Sequence, residues 1–239
     1  MSEPLSGVLT SPVAVAAARN DGVIEWSFIG RVPYRAAWEL QRARRNAVIS
    51  GAAREAVFFL EHFPPVITAG KHAGLADLRV ATDALARRGI ELIETDRGGK
   101  LTYHGPGQLV GYMIIDLRRR RLGVRRFVTI VENAIIEVLQ RCGIAAGRRP
   151  DAPGVWIGAD KIAALGFNIH RGVSCHGFAL NVEPDLSVYD LFIPCGLSGY
   201  GVTSLAALGA GRFTMPELAA SLVEALGAGL DADMLRSGA

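Results

Sequence analysis

The chain is short of cysteine and of surplus charge, and each shortage removes a class of explanation. Three cysteines at irregular spacing cannot build the paired framework of a disulfide-stabilised secreted domain. The net charge of +3 is too small to point to nucleic acid. No stretch approaches the ~18 consecutive apolar residues that a membrane-crossing helix needs. The N-terminus carries Glu3 and no basic cluster ahead of residues 13–18, a poor match to a secretion signal. These absences lead to the expectation of a cytoplasmic protein with free thiols and neither nucleic acid nor membrane as partner. No metal and no cofactor are expected. A monomer is expected.

Glycine, by contrast, is plentiful, at 28 of 239 residues, about 12% against a usual ~7%. It is concentrated in RGGKLTYHGPGQLVGYMIIDL, residues 97–117, which holds glycine at 98, 99, 105, 107 and 111. Such density lets a backbone turn sharply and lets a ligand lie against its amides. The apolar run 109–115 that follows reads as a buried strand. A glycine-paved loop feeding a buried strand suits the wall of a pocket.

Around this stretch the chain reads as alternating strands and helices in one domain, residues 23–230, with tails at 1–22 and 231–239. Strands are expected at 23–29, 58–60, 66–68, 90–95, 155–157, 161–170 and 177–182. Helices are expected at 34–49, 78–88, 126–141 and 216–226. The third helix is the clearest. Phe127, Ile130, Val131, Ala134, Ile135, Val138, Leu139 and Cys142 follow the i, i+3, i+4, i+7 template, which places Cys142 on a buried face. The result is an α+β fold, a mixed β-sheet flanked by helices.

The residues able to do chemistry are few. Cys175 precedes His176 directly, and alternation along a strand would point the two side chains to opposite faces. Cys195 lies between Pro194 and Gly196 in irregular chain, the setting in which scaffolds usually hold nucleophiles. Lys161 leads the apolar run 162–167, and partial desolvation at the mouth of such a strand suits an amine to acid–base work. Six arginines at 118–121, 125 and 126 are expected to steer an acidic partner.

Taken in order, RGGKLTYHGPGQLVGYMIIDL, GVWIGADKIAALGFNI (154–169), HGFALNV (176–182), IPCG (193–196) and VTSL (202–205), with EHFPPVITAGKHAG (61–74) upstream, resemble the octanoyltransferases of lipoate synthesis. The resemblance spans roughly residues 24–225. It implies the fold of biotin and lipoate protein ligase catalytic domains. It also implies transfer of an octanoyl group from octanoyl-acyl carrier protein to a lysine on lipoyl domains of 2-oxoacid dehydrogenases and on the glycine cleavage H protein. By motif, Cys195 would carry the acyl thioester and Lys161 would act as acid and base. The acyl pocket would be lined by Arg97, Gly98, Gly99, Lys100, Leu101, Thr102, Tyr103 and His104, by Ala164, Leu165 and Gly166, and by Gly177, Phe178 and Ala179. The alternatives are an ATP-dependent lipoate or biotin protein ligase on the same fold, and a catalytically silent module that binds lipoyl domains or acyl carriers.

Overall fold

The computed structural model describes residues 22–150, 152–193, 200–211 and 213–237. β1 (Ile24–Val32) leads into α1 (Tyr34–Ser50), β2 (Glu55–His62) and β3 (Val66–Ala69). A 3₁₀ turn at Leu75–Asp77 precedes α2 (Thr82–Arg87), β4 (Glu91–Glu94), β5 (Leu101–His104), β6 (Gln108–Ile114) and α3 (Val124–Arg141). The chain continues through β7 (Gly147–Arg149), β8 (Ala152–Ile157), β9 (Asp160–His170), β10 (Val173–Asn181), β11 (Gly201–Val202), α4 (Met215–Leu230) and β12 (Met234–Arg236).

Among the described residues, one large mixed sheet runs β12-β1-β2-β6-β10-β9-β8-β7, with β11 added alongside β9. A small sheet, β4-β3-β5, stands apart from it. The central strands are apolar on both faces. In β2, Val57 and Phe59 join one core, with α3 and α4, while Ala56, Phe58 and Leu60 join another, with α1. β6 divides the same way, Leu109 and Met113 against Val110, Tyr112 and Ile114. Burial on both faces is why these strands read as nearly unbroken apolar runs instead of alternating ones.

α3 keeps the predicted apolar stripe, with Phe127, Val131, Ala134, Ile135, Val138 and Leu139 buried. Cys142 stands at the helix C-cap, half-buried, and packs against the same core. The helix expected at 78–88 shrinks to Thr82–Arg87, because Leu78 bridges to Phe192 and the Arg79 amide donates to the Leu191 carbonyl. Tertiary pairing overrides helix propensity there. β5 falls in what reads from sequence as loop. Residues 234–236, read as part of a tail, pair in parallel with β1. Residues 1–21, expected as a tail, lie outside the described residues.

The arginine run does not act as one patch. Arg118, Arg119, Arg121, Arg125 and Arg126 are exposed, but Arg120 turns inward and grips both carboxylate oxygens of Glu55, whose side chain is 2% exposed. It also donates to the Leu230 carbonyl at 3.0 Å, and Glu55 accepts from the Asp116 amide at 2.7 Å. Arg120→Ser would strand a buried carboxylate, at a cost of about 3–5 kcal/mol. Thermal melts should show a fall of roughly 10 °C, whereas Arg119→Ser should leave the midpoint almost unchanged.

Candidate active site

A cleft opens between the large sheet and the loop that leads into β5. Its empty volume is about 460 Å³, mouth included, of which about 40 Å³ admits the centre of a water molecule. β9 supplies Ala164, Leu165 and Gly166, and β10 supplies Gly177, Phe178 and Ala179. These strands pair antiparallel with Gly166 opposite Gly177 and Ala164 opposite Ala179, so the smallest side chains meet across the ladder and leave room above it. The structure gathers every residue assigned by the resemblance to the acyl pocket around this cleft, except Gly98 and Tyr103. The Gly98 amide donates to the Phe167 carbonyl at 3.0 Å and seats the loop on β9. Tyr103 faces away and meets Tyr189 edge-on at 5.9 Å.

Arg97 is buried and staples this loop together. Its guanidinium donates to the Thr68 carbonyl at 2.7 Å, to the Thr68 hydroxyl, to the Lys100 carbonyl at 2.8 Å and to the Gly98 carbonyl at 3.0 Å. Its planar fork suits that many carbonyl partners, which a lysine could not serve together. Gly99 has φ of +87°, a conformation that side chains disfavour. A Cβ on Gly166 would lie 3.0 Å from the Gly98 carbonyl oxygen and 3.4 Å from Arg97 Cδ, so glycine there lets the loop lie directly on the strand.

Three cavity residues fall outside the expected set: Tyr34, Tyr112 and His176. Tyr34 opens α1 and gives no local signal. Tyr112 lies inside the glycine-rich stretch, masked by its apolar neighbours. His176 belongs to β10, which begins earlier than expected, and its φ of +63° breaks the side-chain alternation. The separation of Cys175 and His176 to opposite faces therefore does not hold. Cys175 donates to Gln41 Oε1 at 3.4 Å, and the His176 ring lies 6.1 Å from that of Trp38, so both approach α1. Burial pushes the Cys175 thiol up to about 11, which makes it a poor nucleophile for a different reason.

Beside the cleft lies a cluster of buried neutral histidines. His62 Nδ1 donates to the Val32 carbonyl at 2.9 Å, so its Nε2 accepts from the Tyr112 hydroxyl at 2.7 Å. His104 Nδ1 donates to Gln108 Oε1 at 2.9 Å. Burial lowers His62 to about 4 and holds His104 well below its ordinary value. Burial also lowers His176, with Asp96 at 2.7 Å opposing the shift. The unfolded chain binds these protons first, near pH 6.5, so stability is complete above that pH and is lost as pH falls towards 4. Each group costs about 1.4 kcal/mol per pH unit inside its window. Melts at pH 7 and pH 5 should show the loss, and His62→Gln should flatten the slope.

At the start of β9, Lys161 is 7% exposed. Its Nζ donates to the Pro153 carbonyl at 3.1 Å and stands 4.7 Å from the centre of the Trp156 ring. Gly154 (φ +134°) leaves space for the stem, since a Cβ there would lie 3.1 Å from Lys161 Cε. The Gly154 amide is in turn held by buried Glu132 of α3 at 2.9 Å. Lys161 lines a second, smaller cavity with Tyr189, Asn181 and Val202, and this cavity shares Thr102, Ala164 and Ala179 with the main cleft. Cys195 lies outside the described residues.

Arg118 sits far from Lys161. It covers Gly172 in the turn between β9 and β10, while Lys161 is at the opposite end of β9, roughly 30 Å away at ~3.3 Å per strand residue. Among the described residues there is no cluster of His, Cys, Asp and Glu able to hold a metal ion, and no helix is long and apolar enough to cross a membrane.

Residues 33–227 match the model of the lipoyl protein ligase A/B catalytic domain. An octanoyltransferase of Solibacter usitatus (strain Ellin6076) is 48% identical over 181 residues, covering 76% of this chain and 81% of that protein. One of Nitrobacter hamburgensis (strain DSM 10229 / NCIMB 13809 / X14) is 43% identical over 216 residues, covering 86% of each. Among solved structures, a putative lipoate protein ligase of T. acidophilum with bound lipoic acid superposes with a TM-score of 0.66 at 17% identity, over 90% of this chain and 88% of that one. A lipoate-protein ligase A bound with ATP gives 0.68 at 17% identity, with the same coverage. At that identity, these two likenesses speak for the fold alone.

Proposed function

The chain belongs to the lipoyl protein ligase A/B catalytic-domain family and is an acyltransferase, and from that premise we propose that it moves an octanoyl group from octanoyl-acyl carrier protein to a lysine of a lipoyl domain through a thioester on Cys195. The observation that carries this reading is the buried amine of Lys161, set beside a cleft whose strands meet at glycine and alanine. Seven residues beyond Cys195 the chain returns to the start of β9. Val202 pairs with Lys161, and the Ile193 amide donates to the Asp77 carbonyl at 2.7 Å.

In the first half-reaction the Cys195 thiolate attacks the carrier's thioester carbonyl. A new S–C bond forms, and the carrier thiol leaves with a proton given by Lys161. In the second, the acceptor lysine's amine attacks the Cys195 thioester, Lys161 takes the amine's proton, and the amide forms as the cysteine is released. A thioester is already activated, so neither half-reaction requires ATP. Burying about seven chain carbons at ~0.8 kcal/mol each contributes roughly 5 kcal/mol of grip before ordering costs. The acceptors are lipoyl domains of 2-oxoacid dehydrogenases and the glycine cleavage H protein, met by a cytoplasmic monomer.

The test mixes the protein with octanoyl-carrier and a lipoyl domain without nucleotide and follows the intact mass of the domain. A gain of one octanoyl group is expected. Transfer only from free octanoate with ATP would show a ligase instead, and stable association without any mass change would show a binding module.

A further inference from the structure

α3 buries one charged side chain along with its apolar stripe. Glu132, beside Val131 and one turn from Ile135, is 6% exposed. A carboxylate in such surroundings is expensive to bury, and leucine or alanine would complete the stripe equally well. What the carboxylate does is grip the neighbouring sheet. It accepts from the Gly154 amide of β8 at 2.9 Å.

That amide is half of a shared group. The Gly154 N–H and the Pro153 carbonyl belong to one peptide, which is trans, so they point in opposite directions. The carbonyl accepts from Lys161 Nζ at 3.1 Å. Glu132 and Lys161 therefore stand on opposite sides of a single amide plane, each hydrogen-bonded to it. A charged acceptor makes the stronger hydrogen bond, and bonds in series polarise one another where water is excluded. A carboxylate on the N–H thus raises the negative charge on the carbonyl oxygen that the Lys161 amine faces. Gly154 has φ of +134°, and a Cβ there would lie 2.7 Å from the Ala163 carbonyl oxygen, so glycine is what lets this peptide sit against β9. Glu132 lines neither the main cleft nor the cavity beside Lys161.

We propose that Glu132 is a positioning residue, which through the Pro153–Gly154 peptide holds the Lys161 amine in place and strengthens the charge that anchors it. The inference rests on the part given to Lys161 in the proposed function and adds the group that stands behind it. A base oriented by a third group recurs in covalent catalysis; here a peptide stands between the carboxylate and the base. Glu132 exchanges no proton and forms no bond to the acyl group.

The experiment measures single-turnover rates of acyl capture and acyl transfer, with kcat and KM for octanoyl-carrier. It uses wild type, Glu132→Ala, Glu132→Gln, Lys161→Ala and the two double variants, each checked by a melting curve. Glu132→Ala should lower kcat by about 10–100-fold, the scale of a catalytic group displaced by up to ~1 Å, with KM unchanged. Glu132→Gln keeps an acceptor for the Gly154 amide without its charge. It should recover part of the loss and leave kcat several-fold below wild type. With Lys161 already replaced by Ala, neither change at Glu132 should slow the reaction further. A loss of equal size in both backgrounds would mean that Glu132 only supports the fold, and the proposal falls. Normal kcat in both Glu132 variants beside a slow Lys161→Ala would also overturn it, while the transfer mechanism stands. If Lys161→Ala itself turns over normally, the functional reading fails and the positioning role with it. Should Glu132→Ala fail to fold, Glu132→Gln in the two backgrounds decides.

Discussion

Cys195→Ala is expected to abolish the trapped acyl-enzyme completely, whereas Cys142→Ala and Cys175→Ala leave it in place. The contrast follows from what makes a thiol reactive. The thiolate is the nucleophile, and apolar burial disfavours it. Cys175 is buried against Gln41 with its thiol pushed up to about 11. Cys142 caps a helix at the edge of the core, and burial raises its thiol as well. Neither lines the cleft or the cavity shared with Lys161. Intact-mass spectra of the three variants after incubation with octanoyl-carrier give the answer directly. An adduct surviving in Cys195→Ala, or lost in Cys175→Ala, would place the nucleophile elsewhere.

Lys161→Ala should slow both half-reactions by ~10²–10⁴, the scale of positioned acid–base catalysis. The anchoring of this amine explains why the loss should be large and not readily rescued. Pro153, Trp156 and the space left by Gly154 fix its position, so bulk solvent cannot stand in with the same geometry. Lys161→Arg should not restore the rate, because a guanidinium does not give up its proton in proteins. Single-turnover kinetics separate acyl capture from acyl transfer. Normal rates in Lys161→Ala would remove it from the mechanism, and restoration by Arg would reduce its part to charge alone.

Much of the architecture is legible in local pattern, and the exceptions have physical causes. α3 is readable because one stripe faces the core and the opposite face meets water. β2 and β6 are readable as apolar runs because helices cover both faces of the sheet. β5 was hidden by the glycines on either side of it, although Leu101 and Tyr103 alternate with Thr102 and His104 in the manner of a strand. α2 was over-read because Leu78 and Arg79 are claimed by Phe192 and Leu191, residues more than a hundred positions away that no local window contains.

The candidate site divides in the same way. Its walls could be named by motif, since glycine and alanine at facing positions are visible in the chain. Its tyrosine and histidine members could not, because Tyr34, Tyr112 and His176 come from three separate elements, joined by the pairing of β6 with β10 and by α1 packing on both. Arg120 shows the reverse error. Four consecutive arginines look like a single surface feature, yet one of them is committed to Glu55 inside the fold.

The most direct test of the account is to incubate the wild-type protein with octanoyl-carrier in the absence of an acceptor, digest it, and map the acylated peptide. The account predicts one octanoyl group, on the peptide containing Cys195, which is discharged when a lipoyl domain is added. An octanoyl group on any other residue, or one that stays on the protein in the presence of the acceptor, would contradict it.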